Sequence, residues 1–308
     1  MLTVTTAVTN AYTVRVPATS ANLGPGFDAL GLALSLYDEV TAALTDEPTR
    51  VHIEGEGAGE LLTDDSHLVV KAMRETLSEI GDKTVGITLS CVNRIPQARG
   101  LGSSSAAIVA GVTLANALTG SRLSRPDELR IAARLEGHPD NVAPCLLGGF
   151  TIAWMSGGAG ARAVSLQPHP HARPTLLVPT NRGWTEQARA ALPPTVPYAD
   201  AAFNSGRSAL LVHALTADPE LLFEATEDRL HQDYRAAAMP ASAEMVRRLR
   251  SVGVAAVISG AGPSVLALTS LPSGFDPGRR WLTHSLAAET SGAVLSASNI
   301  SNAVGHAE

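Results

Sequence analysis

Residues 94–111 read RIPQARGLGSSSAAIVAG. A strand-like segment runs into one that is small or apolar nearly all round, and the joint between them is two glycines and three serines. A helix N-terminus leaves its first N–H groups unpaired and carries partial positive charge, so a glycine-lined approach lets the oxygens of an anion reach those donors. Gly100 and Gly102 remove side chains where an anion would sit, while Ser103, Ser104 and Ser105 can donate hydroxyls or reach a metal ion. The stretch is not a G-x-x-x-x-G-K-[ST] loop, because the chain has no Gly-Lys pair, and it lacks the third glycine of G-x-G-x-x-G. A helix N-cap after a tight turn would use the same residues, so the loop by itself leaves phosphate binding and simple capping both open.

Outward from the loop, TVGITLSCVN places Val85, Ile87, Leu89 and Cys91 on one face and predicts a strand with one covered side. SSAAIVAGVTLANALTG predicts a buried helix ending near Gly120. HLVVKAMRETLSEIG carries Leu68, Val69, Ala72, Met73, Leu77 and Ile80 at helical spacing and stops at Gly81. RPDELRIAARLEG is a second helix with proline and acids in its first turn, followed by HPDNVAPCLLGGFTIAWM. YTVRVPA and LYDEVTAAL read as strands around a Gly/Pro-rich turn.

The Gly/Ala/His/Pro stretch at 156–174 marks a change of domain, placed between 160 and 161. His169 and His171 within it have no third ligand nearby and read as connector. Beyond it NSGRSALLVHALT predicts a capped helix, 219–235 another, and PASAEMVRRLRSVG a third. VAAVISGAGPSVLALTS predicts strand, turn, strand, and GAVLSAS a last strand. Helices and strands mixed without a long β-α-β series predict α+β layers.

The 308 residues allow two ordinary domains or one large one, and 45% hydrophobic content excludes a disordered chain. Net charge is −6 with acids spread along the chain, which predicts no nucleic-acid or anionic-membrane surface. No apolar run is long enough to span a bilayer and the N-terminus does not read as a leader, so a soluble cytoplasmic protein is expected. Cys91 and Cys145 match no metal or redox spacing. Of 23 basic residues only Lys71 and Lys83 are lysine, so arginine must do nearly every cationic task.

The loop does not stand alone. PATSANLGPGFDALG at 17–31, P-x-x-x-GLGSSSAA at 96–107 and SGAGPSVLAL at 259–268 occur in this order. Together they resemble the GHMP family of small-molecule kinases. EGHPDNVAP at 136–144, NSGRSALLVHAL and DRLHQDYRAA are similar to the branch of that family whose acceptor is L-homoserine.

The resemblance implies a two-domain fold: an N-terminal domain (1–160) with a left-handed β-α-β unit, unusual against the right-handed rule, and a ferredoxin-like C-terminal domain (161–308). It implies ATP as phosphoryl donor, bound by Pro96, Arg99, Gly100, Leu101, Gly102, Ser103, Ser104, Ser105 and Ala106, with Gly260 and Gly262 closing from the second domain. Mg²⁺ would sit on Ser104 and Glu136, hard oxygen ligands for a hard cation. Arg99 stands either for the missing lysine or as a solvated surface residue. The acceptor pocket would comprise Asn22, Asp28 for the ammonium, His138, and Arg207 and Arg235 for the carboxylate.

In this branch Asn141 takes the place where other members carry an aspartate base. Asp140 is then the alternative base, and on an extended PDN stretch only one of the two could face the substrate. Phosphorylation of L-homoserine in threonine biosynthesis by a homodimer is the reading that follows. Another small alcohol such as mevalonate, or ligand sensing without turnover, are the alternatives. His67 stands where relatives often carry asparagine.

Overall fold

The computed structural model describes residues 10–83, 86–183 and 185–298, with residues 185–187 in backbone only. Val85 and the first nine residues lie outside the described residues. Two sheets organise the chain. The first contains β1 (Ala11–Ala21), β2 (Leu30–Thr45), β3 (Arg50–Gly55), β4 (Gly86–Asn93), β5 (Phe150–Met155), β6 (Ala161–Leu166) and a strand from the far end of the chain, Val294–Ser298. That last strand pairs antiparallel with β1, and the order continues β1-β2-β4-β3. Among the described strands only β3 and β4 run parallel, joined by helix α1 (Leu68–Ile80) in the expected β-α-β unit. The two ends of β2 serve different neighbours: Glu39–Thr45 pairs with β4, and Leu30–Leu32 with β5.

Helix α2 (Ser103–Leu118) is covered along nearly its whole length, as its run of alanine, glycine and valine requires. α3 (Arg125–Glu136) begins with a capping box between Ser124 and Asp127 and a proline in its first turn, and stops at Gly137 in the left-handed conformation. α4 (Pro139–Leu147) was not anticipated. Its Pro139 and Asp140 open a helix, so the PDN segment is not extended.

The second sheet is built from β7 (Thr175–Pro179), β8 (Ala256–Ile258), β9 (Val265–Ala267) and β10 (Trp281–Ser285), all antiparallel, in the order β10-β7-β9-β8. Numbered within the domain this is 4-1-3-2, the order of a ferredoxin-like split β-α-β. The first crossover carries α5 (Thr185–Ala190), α6 (Tyr198–Thr216), α7 (Leu222–Ala225), α8 (Gln232–Arg235) and α9 (Pro240–Ser251); the second, between β9 and β10, has no helix among the described residues. The sheets change between Leu166 and Thr175, and the strand at Val294–Ser298, β11, returns to the first.

The segment 219–235 is not one helix. Thr226 bonds back to the Leu222 carbonyl and ends α7, and the Asp228 carboxylate takes the N–H groups of Leu230, His231 and Gln232 to start a new turn. α6 begins at Tyr198, so Asn204 lies inside it, with its side chain spanning the Pro25 carbonyl and the Arg229 N–H. No described helix is long and apolar enough to cross a membrane.

Candidate active site

Gly102 is the N-cap of α2 and adopts φ 67°, and Gly100 has φ 71°. Both positions exclude a side chain on space as well. A Cβ on Gly102 would stand 2.0 Å from Thr19 Oγ1, and one on Gly100 2.2 Å from the Ser259 carbonyl oxygen. The loop is thus clamped between the end of β1 and the 259–263 turn, where Ser259 Oγ donates to the Gly100 carbonyl and Gly260 N–H to that of Ala21. Gly260 faces the cleft, whereas Gly262 sits behind, packed against Met239 and followed by a cis peptide to Pro263.

Two cavities meet at this helix end, and Ala98, Ser103 and Ser104 line both. The larger, about 380 Å³, is walled mainly by Val16, Val40, Ile95, Val69 and Leu61, with Ala106 at its inner end. Its polar groups are few. Asp38 accepts the Arg94 and Ile95 N–H groups at 2.6 and 2.8 Å, and burial raises its pKa to about 6. His67 is buried, its Nδ1 has no partner among the described residues, and burial lowers its pKa. An apolar slot with a few polar groups suits a flat heteroaromatic base.

The smaller cavity, about 220 Å³, is polar and gathers Asn22, Asp28, Glu136, His138, Asp140, Asn141, Arg189 and Arg235. Ser104 and Ser105 hydroxyls both donate to Glu136 Oε1, at 2.7 and 2.8 Å, across the helix end. That pairing offers only hard oxygens, one of them charged, a donor set fitting Mg²⁺ that keeps most of its shell for phosphate and water. No cluster of three or more His, Cys, Asp or Glu suited to a metal occurs among the described residues, the His169 and His171 pair included.

Asp140 and Asn141 both face the cavity, against the expectation that one must turn away. On the first turn of α4 successive side chains are about 100° apart rather than opposed. Asp140 Oδ1 meets His138 Nδ1 at 2.6 Å, and this hydrogen bond raises the His138 pKa against the opposing effect of burial. Thr19 Oγ1 donates to Asn141 Oδ1 at 2.8 Å, which leaves the amide NH₂ as the group Asn141 can offer. Asn22 donates to the Gly260 carbonyl and accepts the Asp28 N–H, tying the 22–28 turn to the 259–263 turn.

The arginines fall differently from the sequence expectation. Arg235 is in the cavity wall and only 2% exposed. Arg207 is not brought to this cluster: it pairs with Glu227 at 2.8 Å, stacks on Phe203 and lines a separate cavity on the second domain. Arg189 of α5 lines the cavity instead and grips Asp28 through two hydrogen bonds of 2.9 and 3.1 Å. Arg99 lines the cavity, but three of its N–H groups go to the carbonyls of Pro179, Gln97 and Thr180. It fastens the loop to β7 more than it offers a free charge. Pro96 lines neither cavity, and Leu101 contributes backbone while its side chain is buried.

With this geometry in place the comparisons are specific. The family model for the GHMP kinases N terminal domain matches residues 67–149, and that for GHMP kinases C terminal matches 209–276. The chain is 52% identical over 292 residues to the homoserine kinase of Streptomyces avermitilis, covering 92% of this chain and 95% of the relative. It is 52% identical over 281 residues to that of Clavibacter michiganensis, covering 90% and 87%. The crystal structure of homoserine kinase from Cytophaga hutchinsonii superposes with a TM-score of 0.81 at 26% identity, over 96% of this chain and 99% of that one. A mevalonate diphosphate decarboxylase from Enterococcus faecalis shares the fold at TM-score 0.66 and 16% identity, over 94% and 99%.

Proposed function

This chain belongs to the GHMP kinase family, and from that premise we propose that it is an ATP-dependent kinase of L-homoserine, making O-phospho-L-homoserine and ADP in threonine biosynthesis. The observation that carries the acceptor is the convergence of Asp28, Arg189 and Arg235 on one polar cavity beside the phosphate loop. A zwitterion needs both signs of charge. Mevalonate has a carboxylate without an ammonium, and a sugar has neither.

In the free protein the Asp28 carboxylate and the Arg189 guanidinium satisfy each other. An amino acid entering between them offers an ammonium to Asp28 and a carboxylate to Arg189 and Arg235, replacing one ion pair by two in a planar geometry that suits arginine. Asn22 holds the Asp28 backbone in its left-handed conformation, φ 55°. The base of ATP lies in the apolar cavity, and its phosphates run over the glycines to the first N–H groups of α2. Ser104 and Glu136 would hold Mg²⁺, which neutralises charge on the β- and γ-phosphates when bound.

The homoserine hydroxyl oxygen attacks the γ-phosphorus, the bond to the β–γ bridging oxygen breaks, and ADP carries away the electron pair. In a loose phosphoryl transition state the nucleophile needs little activation. Asn141, fixed through Thr19, presents amide N–H groups that orient oxygens, and it cannot take a proton. Asp140 is committed to His138. The hydroxyl proton therefore leaves late, to phosphate or water, and catalysis rests on alignment and charge. Asp140→Asn is expected to keep kcat within about tenfold of wild type, whereas loss of a true general base costs ~10²–10⁴. Steady-state kinetics on the folded variant decides between them.

Two expectations accompany this reading: a homodimer, which follows from the family likeness, and a cytoplasmic location, which follows from the sequence reading above. The reaction itself is tested by phosphorus NMR of the product formed from ATP, Mg²⁺ and L-homoserine. A phosphomonoester coupled to the side-chain methylene protons of homoserine is expected; phosphate released without such an ester would refute the assignment.

A further inference from the structure

Arg235 is almost wholly buried, and among the described residues no carboxylate forms an ion pair with it. Its Nε donates to the Ala188 carbonyl at 2.9 Å, and Nη1 lies 3.1 Å from His231 Nδ1. We infer that His231 is the positioning residue of the acceptor site, holding the Arg235 guanidinium toward the substrate carboxylate and fastening it to the turn that carries Asn22 and Asp28. The inference rests on the substrate reading above and deepens it.

The hydrogen-bond chemistry fixes the arrangement. A guanidinium has donors only, so Nδ1 of His231 must be the acceptor and carry no proton. The ring proton is then on Nε2, which is 2.8 Å from the Gly24 carbonyl and donates to it. One neutral imidazole, 1% exposed, thus bridges Arg235 in the second domain to the acceptor turn of the first. Its ring also lies 5.2 Å from that of Phe27, whose face is shared with Arg235 at 5.3 Å. The turn it holds is one that unsupported backbone avoids: Asn22, Leu23 and Asp28 have φ of 67°, 51° and 55°.

Two features keep the ring neutral and in place. Burial lowers its pKa, Arg235 acts in the same direction, and Asp228 and Asp28 oppose them. Asp228 meanwhile accepts the His231 N–H at 3.2 Å and sets the direction of the turn that carries the ring. The spacing His231 to Arg235 is i, i+4, which puts both side chains on one face of a helical turn. Asp228, His231 and Arg235 therefore act as a unit, the first orienting the second and the second the third.

Two substitutions separate positioning from packing. Asparagine at 231 can set its Oδ1 where Nδ1 stands and still accept from Arg235. Glutamine can set its Nε2 where the ring Nε2 stands and still donate to Gly24, leaving Arg235 Nη1 without its acceptor at 231 while Nε keeps the Ala188 carbonyl. His231→Gln is expected to raise KM for L-homoserine at least about tenfold, the loss of a hydrogen bond to a charged group, with kcat and KM for ATP within about threefold. His231→Asn is expected to recover most of that loss. Equal impairment of the two variants, or parallel rises in both KM values, would mean a merely structural histidine and overturn the inference.

Imidazole nitrogen NMR of the unsubstituted protein gives a second reading that needs no variant. A neutral ring protonated on Nε2 at pH 7 is expected, and a ring protonated on Nδ1 would refute the arrangement. Absence of turnover by the unsubstituted protein would count against the substrate assignment alone, since the ring state is read independently of it.

Discussion

Replacing Glu136 by glutamine should lower kcat by ~10³, the order of effect seen when a preorganised charge at a transition state is removed. The substitution keeps the size of the side chain and leaves Oε1 able to accept from Ser104 and Ser105, so the helix end and its serines stay in place. What it removes is the negative charge and the second hard oxygen, which the site needs to hold Mg²⁺ against the phosphates. The melting temperature should change little, because Glu136 closes a solvent-facing cleft rather than the core. Equilibrium binding of ATP without Mg²⁺ should also be retained, since the N–H groups of α2 and the apolar slot are untouched. A glutamine variant that turns over within tenfold of wild type would remove Glu136 from the phosphate site.

The second large effect separates Arg207, which the motifs single out, from Arg189, which they do not. Arg189→Ala should lower kcat/KM for L-homoserine by ~10² or more, because a bidentate charge-assisted contact to the substrate carboxylate is lost. Most of the loss should fall on KM for homoserine, with KM for ATP nearly unchanged. Arg207→Ala should leave both KM values within about twofold, since its partners are Glu227 and Phe203 on another face. The reverse order of effects would restore Arg207 to the acceptor site and require α5 to lie elsewhere when substrate binds.

The shape of the 100–105 loop was legible because it is set locally. Positive φ at Gly100 and Gly102, and hydroxyls on the following turn, are properties of consecutive residues, and the structure adds only what presses on them. The acceptor site was legible in part. Asn22, Asp28, His138 and Arg235 lie within motifs and arrive in one cavity. Arg189 has no such mark: it is one arginine in a short helix, and only the packing of that helix over Asp28 brings it to the cavity.

The helical start of the PDN segment is written in its sequence. Pro139 at the first helical position with Asp140 behind it is a helix opening, and reading it as extended turned Asn141 against Asp140 without cause. The break in 219–235 was harder to see. It depends on Asp228 taking three N–H groups, and on the imidazole and guanidinium of that segment finding partners across the domains. The arrangement of β11 beside β1 is likewise invisible locally, since a five-residue strand carries no record of which sheet it will join.

The most direct measurement is ADP release from Mg-ATP by the purified protein, with L-homoserine, D-homoserine, mevalonate and galactose compared in parallel. The site predicts turnover with L-homoserine and little with the others, because Asp28 and the Arg189 and Arg235 pair require an ammonium and a carboxylate on a centre of one hand. Comparable turnover with mevalonate, or ATP binding without turnover on any acceptor, would contradict it.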